Sequence, residues 1–207
     1  MAITNGYATL AELKATLRIT DTTDDTLLEN AIESSSRLID GYSSRQFWTS
    51  GTATSRIYNA TDDFQLMMDD VSGTAGFVLK SSSMANQTYD VTWAATDFQI
   101  EPLNGVLDGQ YWPFDRVRAC GRYLFPTINT SFTLAALVQV TATWGWASVP
   151  SPIKQATLLQ AARIYRRYDS PLGVAGFGDF GVVRVSRFLD PDVQQLVEPY
   201  RRLRNFA

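Results

Sequence analysis

The strongest constraint on the fold of this 207-residue chain is a change of hydrophobic period, made twice. Up to Phe47-Trp48 the apolar residues recur at helical spacing. From Ser50 to Ser148 they alternate, or stand in short runs cut by glycine and proline. From Ser151-Pro152 the helical spacing returns. A period near 3.6 buries one stripe of a helix, and a period of two buries one face of a strand. The pattern therefore predicts an α+β chain: a small helical bundle of two N-terminal and two C-terminal helices, with a β-rich insertion between helices two and three. The divisions fall at residues 1–49, 50–148 and 149–207, the last completing the core begun by the first.

Local signals refine this outline. Thr9-Leu10-Ala11-Glu12 has capping-box spacing and opens a short helix with Leu10, Leu13 and Leu17 on one face. Asp21-Thr22-Thr23-Asp24 ends it, and its side-chain oxygens are expected to cap a second helix from Asp24 to Arg45. Leu27, Leu28, Ala31, Ile32, Leu38, Ile39 and Tyr42 form that helix's stripe, interrupted by Ser34-Ser35-Ser36. Those serines permit either close approach of another helix or plain solvent exposure. In the middle, residues 56–58, 65–68, 88–93, 98–101 and 137–144 read as strands, with a turn at Pro102–Gly105. Ser151-Pro152 and Asp190-Pro191 each place a capping side chain before proline and start the last two helices. Ile153, Ala156, Leu158, Leu159, Ala162 and Tyr165 supply one apolar face. Val193, Leu196, Val197, Tyr200 and Leu203 supply the other, which Pro199 bends or ends.

Composition narrows the chemistry. There is no histidine, the usual general base at neutral pH and a common metal ligand. The single cysteine, Cys120, excludes an internal disulfide and is expected to be a small half-buried side chain. Charge is uneven. Residues 1–149 carry 9 Lys+Arg against 16 Asp+Glu, a balance of −7; residues 150–207 carry 9 against 5, a balance of +4. A basic end on an acidic body points to a contact with an acidic protein or nucleic acid. Met1-Ala2-Ile3-Thr4-Asn5 lacks the charged and apolar regions of a secretory signal, and no apolar run reaches membrane-spanning length. A protein made and kept in the cytoplasm is expected.

Three motifs bear on function. Gly176-Phe177-Gly178-Asp179-Phe180-Gly181 spells a dinucleotide-binding fingerprint, but a helix precedes it and an extended segment follows, so the strand–turn–helix context is missing. A subunit contact anchored by Phe177 and Phe180 and a loop whose aromatics fold onto the core both fit this stretch. Asp62-Asp63 and Asp69-Asp70 lack metal-loop spacing and read as solvated turns at strand ends; a hydrolase would need them to converge. Arg163, Arg166 and Arg167, with Arg201, Arg202 and Arg204, suit helix dipoles, a neighbouring protein or phosphate. The acidic body favours the protein over DNA. No catalytic, cofactor-binding or metal-binding residue is assigned. A carboxylate hydrolase and a DNA-binding assembly factor are the competing readings.

The order of the motifs resembles the head–tail connector (adaptor) proteins of long-tailed bacteriophages. The resemblance is carried by Tyr7–Lys14, Asp24–Glu33 and Arg37–Asp40. It continues through Thr96-Asp97-Phe98, Glu101–Gly105, Val140–Ala147, Val149–Ala156, Ser170–Gly178 and Pro199–Arg202. It implies a non-enzymatic virion subunit that forms a ring, commonly a dodecamer, beneath the portal protein. The ring joins the portal to a tail-side connector or stopper protein and lets the genome pass without specific binding. It further implies a C-terminal segment docked on the portal, here Tyr200, Arg201, Arg202, Leu203, Arg204, Asn205 and Phe206. Phe177, Phe180, Arg163, Arg166 and Arg167 are the expected contacts between subunits.

Overall fold

The computed structural model describes residues 3–84, 86–107, 110–131, 135–168, 174–176, 182–184 and 189–202. The chain is α+β, as the change of period predicts. It divides into a helical unit, residues 1–48 with 149–207, and a β-rich unit, residues 49–148.

The helical unit holds α1 (Leu10–Leu17), α2 (Asp25–Ser43), α4 (Ser151–Arg167) and α5 (Pro191–Val197), with a 3₁₀ turn over Glu198–Tyr200. The capping box at α1 forms in full: the Thr9 hydroxyl accepts from the Glu12 amide at 3.2 Å, and the Glu12 carboxylate accepts from the Thr9 amide at 2.8 Å. That satisfies two amides a helix start would otherwise leave bare. Burial follows the helical stripe: Leu13, Leu28, Ala31, Ile32 and Ala161 are buried in one cluster, with Leu10, Leu17 and Tyr165 packed on it.

Three local expectations are corrected here. Asp24 does not cap α2; its carboxylate accepts the Tyr165 hydroxyl of α4 at 2.6 Å, a tie across the bundle in place of a local one. Ser151 is the first helical residue rather than the cap, because the Pro150 carbonyl already accepts the Lys154 amide at 3.0 Å. Leu38 and Leu159, placed on apolar faces by spacing, are exposed. By contrast Asp190 caps α5 as expected, accepting the Asp192 amide at 3.2 Å, and the α-helix gives way to the 3₁₀ turn at Pro199. The serine run splits by face: Ser34 is exposed, while Ser35 and Ser36 are buried and donate to carbonyls four residues back.

The β-rich unit contains two antiparallel sheets. One has the order β1 (Thr54–Tyr58), β9 (Val138–Ala142), β3 (Val78–Ser81), β4 (Val91–Thr92); the other runs β2 (Gln65–Val71), β8 (Phe114–Ala119), β5 (Phe98–Glu101). A hairpin of β6 (Val106–Leu107) and β7 (Gln110–Tyr111) and a one-turn helix α3 (Ile128–Ser131) complete it. In β9, Val138, Val140 and Ala142 are buried and Gln139 and Thr141 face outward, the alternation of a sheet with one wet face. Val117 of β8 pairs with Leu66 on one side and Ile100 on the other, placing it at the centre of the second sheet. Trp93, Phe125, Trp144 and the buried strand residues form one core. Trp144 fastens it, donating its indole N–H to the Thr54 carbonyl at 2.9 Å. Gly145 follows at φ +99°, a conformation that favours glycine, and its amide reaches the Asp70 carbonyl at 2.7 Å.

Cys120 is exposed rather than half-buried: it lies just past β8, where its amide is held by the Asp97 carbonyl and its side chain turns outward. The element just before the fingerprint-like motif is a strand rather than the expected helix: β10 (Val174–Gly176) pairs antiparallel with β11 (Val182–Arg184). Two antiparallel strands flank the motif, so it lacks the strand-to-helix passage a dinucleotide site needs.

Candidate functional site

The C-terminal half of α2 builds a seam that receives both ends of the helical unit. Its side chains at Ser36, Asp40 and Ser43 recur at helical spacing and share a face. At the first, the Tyr7 amide donates to the Ser36 hydroxyl at 3.1 Å. At the second, the Tyr7 phenol donates to the Asp40 carboxylate and accepts the Phe47 amide at 2.9 Å. At the third, the Arg202 amide donates to the Ser43 carbonyl at 2.8 Å. A bond to that carbonyl answers a real need, because the last four carbonyls of a helix have no partner inside it.

Aromatic rings connect the three levels. Tyr7 meets Phe47 edge to face at 5.6 Å between centroids, and Phe47 meets Tyr200 the same way at 5.9 Å. All three are buried; Tyr200 is 6% exposed. Outside this column, Tyr42 donates to the Glu198 carboxylate at 2.6 Å, and the Arg201 guanidinium lies over the Tyr42 ring at 5.3 Å. The segment after α5 is thus fixed by one buried ring, one backbone bond and a surface cluster.

The seam has an ionisable member that is half-buried. Burial pushes the Asp40 carboxyl up to about 6, against the lowering effects of the Tyr7 hydrogen bond and of Arg37, whose Nε lies 3.2 Å from Asp40. Glu33, two turns earlier, pushes the same way as burial. The Tyr7 phenol is pushed well above its ordinary value, first by burial and then by Asp40. It stays neutral, as a donor to a carboxylate must.

Of the expected portal-contact residues, Tyr200, Arg201 and Arg202 are therefore held inside or against the helical unit. Leu203, Arg204, Asn205 and Phe206 lie outside the described residues. Of the expected subunit contacts, Phe177 and Phe180 also lie outside them. Arg163 pairs with Asp190 and ties α4 to the start of α5. Arg166 is exposed, and Arg167 is half-buried. Phe47 is the member of the seam that the sequence left unassigned. It stands just past the helical stripe, and only its aromatic bulk at the period change marks it.

The paired aspartates are taken up separately. Asp62 accepts the amides of Phe64 and Gln65 at 2.7 and 2.9 Å, the turn role expected of it. Asp63 accepts the Thr127 hydroxyl at 2.6 Å. Asp69 and Asp70 are not turn residues but lie within β2. Asp69 pairs with Arg56 at 2.6 Å, and Asp70, 4% exposed, accepts the Trp146 indole N–H at 3.0 Å. Among the described residues no three acidic, histidine or cysteine side chains are grouped to hold a metal ion. Nor is any described helix long and apolar enough to cross a membrane.

The helical unit thus forms a structural module in which α2, Tyr7 and Phe47 hold Tyr200 and Arg202 in place. Residues 7–91 match the family model of the phage gp6-like head-tail connector proteins, a stretch running from Tyr7 of the seam to the start of β4. Two solved structures share the fold. One is a chain of the neck of an empty gene transfer agent particle, computed with C6 symmetry: TM-score 0.57 and 18% identity, over 99% of this chain and 94% of that one. The other is a chain of the virion of a native gene transfer agent particle: TM-score 0.51 and 19% identity, over the same shares. No curated protein matches. The family match over residues 7–91 agrees with the resemblance to phage head–tail connectors read from the sequence, and the likeness of fold extends over nearly the whole chain.

Proposed function

We propose that this chain is a non-catalytic virion subunit at the head–tail junction. It is made in the host cytoplasm and assembles into a ring, of twelve copies by family analogy, between the portal protein and a tail-side connector or stopper. The genome crosses the ring without specific binding, as suits a chain whose first 149 residues are acidic. The observation that carries this reading is the family match over residues 7–91, with the shared fold over 99% of the chain in support.

The portal contact is the segment from Tyr200 to Phe206. Tyr200 and Arg202 anchor it to α2, so a partner meets Leu203–Phe206 from a defined origin. Anchoring one end lowers the ordering cost of docking the rest. Arg163 is paired with Asp190 within the subunit; Arg166, Arg167, Phe177 and Phe180 are the proposed contacts between copies.

The test is co-purification of the chain with portal protein from the same genome, with and without residues 203–207. Retention that depends on those five residues is the expected result. Failure to bind portal, combined with salt-sensitive retardation of duplex DNA by the same chain, would favour the assembly-factor reading instead.

A further inference from the structure

One end of the seam is a strap. The segment Ile3–Ala8 runs along α2 and is held to it turn after turn. The Thr4 amide donates to the Glu33 carboxylate at 3.2 Å, and the Arg37 guanidinium donates to the Asn5 carbonyl at 2.9 Å. The Tyr7 amide and phenol then take Ser36 and Asp40. Ile3 packs on the cluster that holds Leu13, Leu28 and Ile32, and the Arg37 guanidinium lies over the Tyr7 ring at 5.6 Å. Gly6 permits this close approach: a Cβ there would clash with the Ile3 side chain and stand 3.1 Å from a methyl of Ile32. Asn5 precedes it at φ +59°, a left-handed conformation that asparagine tolerates better than most residues.

The strap reaches the C-terminal segment through one residue. Helix α2 ends at Ser43, and Ser44 turns the chain into the left-handed region at φ +54°. Phe47 therefore lies beyond the helical ladder. It is fully buried, its amide is accepted by the Tyr7 hydroxyl, and its ring meets Tyr7 and Tyr200 edge to face. A buried amide that loses its acceptor must find another or open to water. Lifting the strap takes both a hydrogen-bond acceptor and a ring contact from Phe47, the residue on which Tyr200 rests. We infer that the strap and the C-terminal segment form a single latch. Tyr7 is the positioning residue for residues 200–202, acting through Phe47, and the segment opens and closes with the strap. Such coupling is reciprocal: whatever holds residues 200–202 tightens the strap by the same factor. The latch takes its role from the connector reading, in which a portal seated on residues 203–206 tightens the strap at Thr4–Tyr7.

The test is amide hydrogen exchange on the full chain, which reads local opening residue by residue. Tyr7→Phe keeps the ring and removes the hydroxyl. Gly6→Ala lifts the strap from α2 and leaves Tyr7, Phe47 and Tyr200 unchanged. Each should speed exchange at the Phe47 and Arg202 amides about tenfold, while the amides in the middle of α4 and in β9 keep their rates. Tyr200→Leu, made at the other end, should speed the Tyr7 amide by a comparable factor. The Tyr7→Phe, Tyr200→Leu double variant should fall short of the product of the two effects. Unchanged Arg202 exchange in both strap variants would overturn the latch, as would acceleration of every amide together. Portal protein then separates the two readings. Slower Tyr7 exchange on adding portal, lost in Tyr200→Leu, is expected. Portal bound with Tyr7 exchange unmoved would overturn the latch and leave the connector reading standing. A coupled latch in a chain that binds no portal would uphold the latch and count against the connector reading.

Discussion

Phe47 and Tyr200 meet edge to face, their ring centroids 5.9 Å apart and their planes at 80°. This one contact ties the residue that ends the first helical segment to the last described turn, and Tyr7 extends it on the other side. The seam thus joins the beginning of the helical unit to its last described residues.

Phe47→Ala removes the middle ring of this column. Loss of a fully buried phenylalanine costs about 3–5 kcal/mol, depending on how far the site collapses. Chemical denaturation should show that loss, and Phe47→Leu should show clearly less. Portal binding by Phe47→Leu is then the cleaner readout, because the fold survives while the edge-to-face geometry does not.

Asp40 gives the seam a pH dependence of defined sign. Its folded value is raised from 3.8 to about 6, so folding disfavours its charged form. The stability it contributes is fully present below about pH 4 and is lost as pH rises through 6. Glu12 acts in the opposite sense: hydrogen bonding to the Thr9 amide, with Lys154 beside it, lowers its value, so its contribution is lost in acid. The difference between wild type and Asp40→Asn isolates the Asp40 effect. Denaturation midpoints from pH 4 to 8 should show the wild type losing stability relative to the variant as pH rises. A flat or inverted difference would contradict the burial assigned to Asp40.

How much of this was legible depends on distance along the chain. The Thr9–Glu12 capping box and the Asp190 cap involve partners within three residues, so spacing revealed them. The Asp24 cap failed because Tyr165, 141 residues away, competes for the same carboxylate, and no local pattern records that. Strand β8 escaped notice because Asp115, Arg116 and Arg118 break its apolar signal; only Val117 is buried, and Glu101 on the neighbouring strand answers Arg118. Tyr200 stood out in sequence as part of a basic, aromatic-tipped tail. That its ring turns inward onto Phe47 is a tertiary fact.

Thr9→Ala tests the local end of this scale. It removes a cap whose geometry is complete, and the expected cost is about 1 kcal/mol. Thermal denaturation should show a modest fall in Tm that Thr9→Ser largely restores.

Asp70→Ala tests the β-rich unit. It removes the acceptor of the buried Trp146 indole N–H, at a cost of about 1–3 kcal/mol. Asp70→Asn keeps an acceptor and should cost less, with both changes visible in tryptophan fluorescence during unfolding.

The central claim is that the chain builds a ring on a portal. Its most direct test is the mass, by light scattering, of portal protein saturated with the purified 23.0 kDa chain. A single complex whose added mass corresponds to about twelve copies, reduced to bare portal when residues 203–207 are removed, is the predicted result. Portal and chain eluting as separate species at every ratio tested would contradict it.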